Sequence, residues 1–324
     1  MSESTADTHA SFLQLKEHLQ TVIVGQSELL DRLMIGLLTA GHILLEGPPG
    51  LAKTTAVNAL ASGVQASAQR IQFTPDLMPG DLTGSEIYDA GKGEFKFVPG
   101  PLFHDIILAD EINRAPPKVQ SALLEAMQEH QVTVNGVTRK LPELFLVMAT
   151  QNPLEQTGTY PLPEAQLDRF LLHVVIGYPT ADEEWQILQR DKRLHLDPAG
   201  EPSSVISPEL VKRAREQVNR IHIEESVERY IIEIVTATRD VGRLIPEWQG
   251  YIDIGASPRA TLAAVRAAGA HAYLQGRDFI TPDDVVEILP DVLRHRLILS
   301  YSAETQQISK DMIVRKIIET VNMP

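Results

Sequence analysis

Apolar positions fall into two rhythms along this chain. Short unbroken runs, Ile43-Leu44-Leu45, Ile106-Ile107-Leu108-Ala109, Leu144 to Ala149 and Leu171 to Ile176, alternate with stretches where apolar residues recur every three or four positions. Such runs, bounded by loops, fit strands buried on both faces of a parallel sheet. A further short strand is expected at Arg70 to Thr74. The wider spacing predicts helices through Phe12, Leu15, Leu19, Val22 and Ile23, through Leu29, Leu30, Leu33 and Leu37, over Thr54 to Leu60 and over Val119 to Glu129. Five strand-like runs alternating with helical patterns argue for a doubly wound α/β sheet. Two hairpins interrupt it. One lies in the glycine-bearing segment 81–103, with strands at Glu86 to Asp89 and Glu94 to Val98 and an exposed tip at Gly91-Lys92-Gly93. The other pairs Gln131–Val134 with Val137–Arg139 across Asn135-Gly136, a dipeptide suited to a type I′ turn.

Beyond Tyr178-Pro179 the strand rhythm stops. Helices are expected at Glu209–Ile221, Ser226–Val241, Pro258–Leu274 and Asp283–Leu299, with Ser257-Pro258 and Thr281-Pro282 as cap and first-position pairs. No convincing strand is legible there. Helical periodicity begins at Asp182, and a Pro/Ser/Gly-rich loop, 197–208, parts that first helical stretch from the four named helices. The expected division is a disordered tail over 1–10, an α/β core over 11–180 and a small all-helical domain over 181–324.

Composition narrows the field. A hydrophobic content of 43% over 324 residues supports real cores, and the absence of cysteine removes disulfides, thiolate metal sites and a cysteine nucleophile. A net charge of −14 and 5% aromatic residues disfavour binding to nucleic-acid phosphates or bases. The first residues carry no basic and apolar signal pattern. The longest apolar candidate, Leu33 to Leu45, is broken by Gly36, Thr39, Gly41 and His42, so no membrane span and a cytoplasmic location are expected.

The chemistry is concentrated after the first strand. Gly47-Pro48-Pro49-Gly50-Leu51-Ala52-Lys53-Thr54-Thr55 stands between a strand and a helix, the setting of a phosphate-binding loop. Loop N–H groups and the helix N-terminus would hold a triphosphate, Lys53 would reach the β- and γ-phosphates, and Thr54 would offer its hydroxyl to Mg²⁺. Asp110 and Glu111 end an apolar run, where ligands bind in open α/β sheets. Asp110 then serves Mg²⁺ and Glu111 polarises the attacking water; a plain acidic helix start is the competing account. Asn152, after the next run, either orients that water or begins the turn before Pro153. His104, His130 and His173 are too scattered for a metal site.

Together these pieces resemble the AAA+ ATPases, and within them the MoxR group. GPPGLAKT, ILADEINRAPPKVQSALLEAMQE, VMATQNPLEQTGTYPLPEAQLDRF and GASPRA carry the resemblance, which spans residues 12 to 321. It implies ATP and Mg²⁺ as cofactors, a five-stranded sheet of order 5-1-4-3-2 and a helical lid. Val24 and Gly25 would lie against the adenine, Asn152 would be the first sensor, Arg169 the arginine finger reaching a neighbouring subunit and Arg259 the second sensor. Arg169 as a surface partner of Asp168, and Arg259 as an ordinary helix start, are the rival readings. The resemblance further implies a ring, expected as a hexamer, that remodels or activates a protein partner, commonly one with a von Willebrand factor A domain. The ATPase subunit of a metal chelatase and a nucleic-acid remodeller are the alternatives.

Overall fold

In a computed structural model, residues 3–48, 51, 53–152, 158–196 and 206–324 are described. The elements run α1 (Glu3–Val22), α2 (Ser27–Thr39), β1 (Ile43–Glu46), α3 (Lys53–Gly63), β2 (Ala68–Gln72), α4 (Pro79–Thr83), β3 (Gly84–Asp89), β4 (Glu94–Pro99), β5 (Ile106–Asp110), α5 (Pro117–Glu129), β6 (Gln131–Val134), β7 (Val137–Lys140), β8 (Leu146–Gln151), α6 (Glu164–Leu167) and β9 (Leu172–Val175). Helices α7 (Ala181–Leu196), α8 (Pro208–Val218), α9 (Glu225–Ala237) and α10 (Val241–Leu244) follow, then strand β10 (Ile252–Ile254), α11 (Pro258–Leu274), α12 (Pro282–Leu293), strand β11 (Ile298–Leu299), α13 (Tyr301–Thr305) and α14 (Lys310–Thr320).

Five parallel strands form one sheet in the order β2-β5-β8-β1-β9, which is the expected 5-1-4-3-2 read from its other edge. Strands β1, β5 and β8 are apolar on both faces over most of their length, and their alternation sorts side chains into two layers. Ile43, Leu45, Ile106, Leu108, Leu146 and Met148 face α1, α2 and α3, whereas Leu44, Ile107, Ala109, Val147 and Ala149 pack with Val119, Leu123 and Leu124 of α5. Both hairpins form, β3 with β4 and β6 with β7.

The helical part is built around α11, whose buried face is mostly alanine (Ala260, Ala263, Ala264, Ala267 and Ala268). Small side chains let α12, α2 and α9 approach closely. One apolar core therefore continues from the sheet through α1 and α2 into α8, α9, α11, α12 and α14. Buried ions fasten the same junction: Arg32 Nε donates to Asp291 Oδ2 at 2.6 Å, and Arg296 Nε to Asp168 Oδ1 at 2.7 Å.

Three expectations need correction. The tail expected over 1–10 is helical from Glu3, because Thr8 is buried and the His9 ring meets Tyr273 edge-on at 5.5 Å. A polar composition hid the first turns of a helix expected from Phe12 onward, turns whose partner lies more than 260 positions away. The region after Asp182 does contain strands: β10 and β11 pair antiparallel, too short to show a period of two. The helix expected over Asp283–Leu299 ends at Leu293, followed by a 3₁₀ turn, Arg294–Arg296, and β11. The loop expected over 197–208 lies outside the described residues except for 206–207 and the start of α8 at Pro208.

Candidate active site

The C-terminal ends of β1, β5 and β8 converge on a cleft of about 400 Å³ lined by Gly47, Leu51, Lys53, Thr54, Thr55, Arg70, Gln72, Asp110, Glu111, Thr150 and Asn152. Strand pairing explains the convergence. In register, Leu44 lies beside Ala149 and Ala109 beside Ala149, so the residues following each strand end side by side. Gly47 must be glycine, since a Cβ there would stand 2.7 Å from the Ile176 carbonyl oxygen. Pro48 follows, half-buried. Pro49, Gly50 and Ala52 of the expected phosphate loop lie outside the described residues.

Lys53 opens α3 and donates from Nζ to the Gly47 carbonyl at 2.8 Å. Burial lowers its pKa, opposed by the charges of Asp110, Glu111 and Glu46. A desolvated ammonium facing carboxylates is well suited to hold phosphate oxygens.

Glu111 is the least ordinary residue of the cleft. Its backbone is left-handed, with φ 57° and ψ 49°, a conformation that costs a non-glycine residue about 1 kcal/mol. It stands at the start of a 3₁₀ turn, Ile112–Arg114, where its side chain makes no capping hydrogen bond. Thr150 holds it there: the Glu111 N–H donates to Thr150 Oγ1 at 2.9 Å, and that hydroxyl donates to Asp110 Oδ1 at 2.6 Å. Arg114 Nε lies 2.9 Å from Glu111 Oε2. Sequence reasoning passed over Thr150, although a hydroxyl at the end of the apolar run Val147-Met148-Ala149 was a usable signal. Asn152, two positions after Thr150, lines the same cleft.

A second cavity of about 200 Å³ adjoins the first across Leu51 and Thr55, which line both. Its walls are Val22, Ile23, Val24, Gln26, Pro179, Ile187, Arg190 and Asp191, mostly apolar. Gly25, at φ +72°, turns the chain between α1 and α2, and a Cβ there would collide with the Glu183 side chain. An apolar chamber joined to a polar one fits a base at one end and phosphates at the other.

As to metal, the Thr54 hydroxyl and the Asp110 carboxylate are among the oxygen-bearing side chains that line the cleft with Lys53. Among the described residues no group of three or more histidines and acids could cage an ion. Two oxygen side chains completed by phosphate and water suit Mg²⁺, which rarely takes an all-protein cage.

Arg169 and Arg259 are elsewhere. They line a cavity of about 340 Å³ with Gly41, His42, Met127, His130, Asp168, Arg266 and Arg296. Gly41 and His42 precede β1, and Phe170 and Leu171 precede β9, so this cavity lies at the opposite end of the parallel sheet from Lys53. Asp168 turns to Arg296 and to Ser257 Oγ (3.0 Å), with Arg259 at 3.8 Å. Arg169 instead donates to the Leu124 carbonyl, within α5, at 2.6 Å. Its surface pairing with Asp168 is therefore not what is seen. Arg259, second in α11 and 59% exposed at its side chain, lines the same cavity. The structure thus brings Lys53, Thr54, Asp110, Glu111 and Asn152 together and keeps both arginines away from them.

Two contacts in series join the end of β1 to the helical part. The His173 ring lies 2.9 Å from Glu46 Oε2 and, with burial opposing it, holds that carboxyl below its usual range. The His173 carbonyl in turn accepts from Arg294. Sequence reading had set His173 aside as scattered; nothing in the sequence links it to Glu46.

Residues 42–172 match the model of the ATPase family associated with various cellular activities (AAA), and residues 249–317 match the AAA lid domain. Chaperone MoxR1 of Mycobacterium tuberculosis is 45% identical over 94% of this chain and 80% of its own length. Protein MoxR of Methylorubrum extorquens is 31% identical over 96% of this chain and 94% of its own. A crystal structure of a Cytophaga hutchinsonii protein, provisionally assigned as an ATPase, superposes with a TM-score of 0.93 at 44% identity, covering 99% of this chain and 97% of that one.

Proposed function

The chain belongs to the MoxR group of AAA ATPases, and from that premise we propose that it works as an oligomeric ring which hydrolyses ATP to remodel or activate a protein partner. In this reading residues 11–180 form the nucleotide-binding unit and 181–324 the lid. Adenine occupies the apolar cavity beside Val24 and Gly25, and the triphosphate lies along the loop from Gly47 to Thr55. Lys53 binds the outer phosphates, Glu111 accepts a proton from the attacking water, and Asn152 orients that water. Thr54 and Asp110 hold Mg²⁺, which when bound neutralises charge on the phosphates.

The observation that carries the reading is the separation of charges between the two ends of the sheet. Each chain carries the groups we assign to water activation and phosphate binding at one end and the guanidinium groups of Arg169 and Arg259 at the other. A ring in which each subunit lends its arginines to the next one's nucleotide uses both ends, and makes hydrolysis conditional on assembly. Six subunits is the number we expect. A partner-facing role fits the β3–β4 hairpin, whose Ile87, Tyr88 and Phe95 are 55%, 56% and 69% exposed. The chaperone named among the relatives supports a protein client, and a von Willebrand factor A domain protein is our candidate.

Steady-state ATP hydrolysis against protein concentration, with mass measured in parallel, tests the core of this. Activity per subunit should rise as assembly proceeds, and Glu111→Gln should bind ATP without turning it over. Full activity in a monomer, or in Glu111→Gln, would sink the proposal.

A further inference from the structure

Both acids of the cleft are held by the edge strand β2. Arg70 and Gln72 lie two positions apart on it and so share a face; β2 pairs with β5 such that Gln72 lies beside Asp110. Arg70 grips Asp110 Oδ2 with Nε at 3.2 Å and Nη2 at 2.7 Å. The same Nη2 donates to Gln72 Oε1 at 2.8 Å, and Gln72 Nε2 donates to Glu111 Oε2 at 2.8 Å. Since Thr150 takes Asp110 Oδ1, both oxygens of Asp110 are engaged, one of them by a permanent cation. A guanidinium does not give up its proton in a protein, so pH cannot clear the way for a metal.

We propose that Arg70 is a positioning residue that serves as a resident counter-cation for Asp110, competing with the divalent ion for Oδ2. It sets the metal concentration at which nucleotide is held tightly. The inference rests on the reading of Asp110 as the metal acid. Two features make Arg70 displaceable: its side chain is 51% exposed, and it stands on a sheet edge with solvent to swing into. A pair so exposed is weak, which suits a contact that must be broken in each cycle. Through Gln72, departure of Arg70 also loosens the side chain that holds Glu111.

The two roles of a counter-cation have opposite signs, and that gives the test. With no metal, Arg70 compensates the Asp110 charge that would repel a triphosphate; with metal, it is a competitor. Binding of a fluorescent ATP analogue is measured in EDTA and across a Mg²⁺ titration, and Mn²⁺ binding is followed by electron paramagnetic resonance with a non-hydrolysable analogue present. Arg70→Ala should weaken the EDTA affinity, while lowering the half-saturating Mg²⁺ and Mn²⁺ concentrations about two- to five-fold. Arg70→Lys, which keeps the charge but loses the fork, should fall between. Metal and EDTA affinities that weaken together, or do not change, overturn the proposal in favour of a merely structural Arg70. Asp110→Asn is the control for the premise: if it retains wild-type Mn²⁺ binding, the metal reading of Asp110 itself fails, whatever Arg70 does.

Discussion

Two silent variants should restore each other's activity if Arg169 serves a neighbouring subunit. Arg169 sits at the level of His42, before β1, and the proposed phosphate loop begins at Gly47, after it; the Leu171 N–H, two residues beyond Arg169, donates to the His42 carbonyl at 2.8 Å. Five residue steps at about 3.3 Å put the two ends of the strand about 16 Å apart. Over about 16 Å, with an effective dielectric of about 20, one charge stabilises another by only about 1 kcal/mol, roughly five-fold in rate. An arginine in contact with the transferred phosphoryl group is worth about 10³–10⁵. Arg169→Ala should therefore lose at least three decades of hydrolysis as an assembled protein, far beyond what its own site could feel. Glu111→Gln is inactive for a different reason, yet its Arg169 is intact. Mixed in equal amounts and allowed to exchange, the two variants create sites with Glu111 in one subunit and Arg169 in the next. Random assembly makes about one quarter of all sites productive, so hydrolysis should recover to about that fraction of wild type. Phosphate release is the assay, with native mass spectrometry to confirm mixed assemblies. A mixture that stays at the floor despite confirmed mixing refutes the reasoning, as does an assembled Arg169→Ala protein within five-fold of wild type.

Two further outcomes follow from the geometry. Thr150→Val removes the hydroxyl that joins Asp110 to the Glu111 N–H; leaving those groups unpaired costs about 1–3 kcal/mol, so kcat should fall about 10- to 100-fold, with Thr150→Ser restoring it and nucleotide affinity little changed. His42 is buried, donates from Nε2 to the Met127 carbonyl and accepts the Val147 N–H on Nδ1, and burial lowers its pKa from 6.5 to about 4. The unfolded chain then binds a proton that the folded one refuses, so stability is full above pH 6.5 and declines as pH falls towards about 4, by at most about 3 kcal/mol. Thermal melts of wild type should show that decline and melts of His42→Gln should be flatter across the same window; parallel curves would remove His42 from the account.

Periodicity and local chemistry carried most of the fold. Buried strands had to be apolar at every position, so Ile106-Ile107-Leu108-Ala109 could be read as it stands, and Asn135-Gly136 admits few conformations besides a tight turn. Glycine at 47, lysine at 53 and the acids at 110 and 111 were legible because each requirement is local: a strand, a loop, a helix start, a strand end. What the sequence could not state is which distant side chains those residues would meet. Arg70 on Asp110, Gln72 on Glu111, Thr150 between the two acids and His173 beside Glu46 all depend on strand order. Only the first turns of the N-terminal helix were hidden, for the same reason, since their contacts are with Tyr273, far along the chain. Most consequentially, only the tertiary structure put Arg169 and Arg259 at the far end of the sheet from Lys53. A sequence fixes which groups a chain carries, whereas the distance between groups remote in sequence is set by the packing of the whole core.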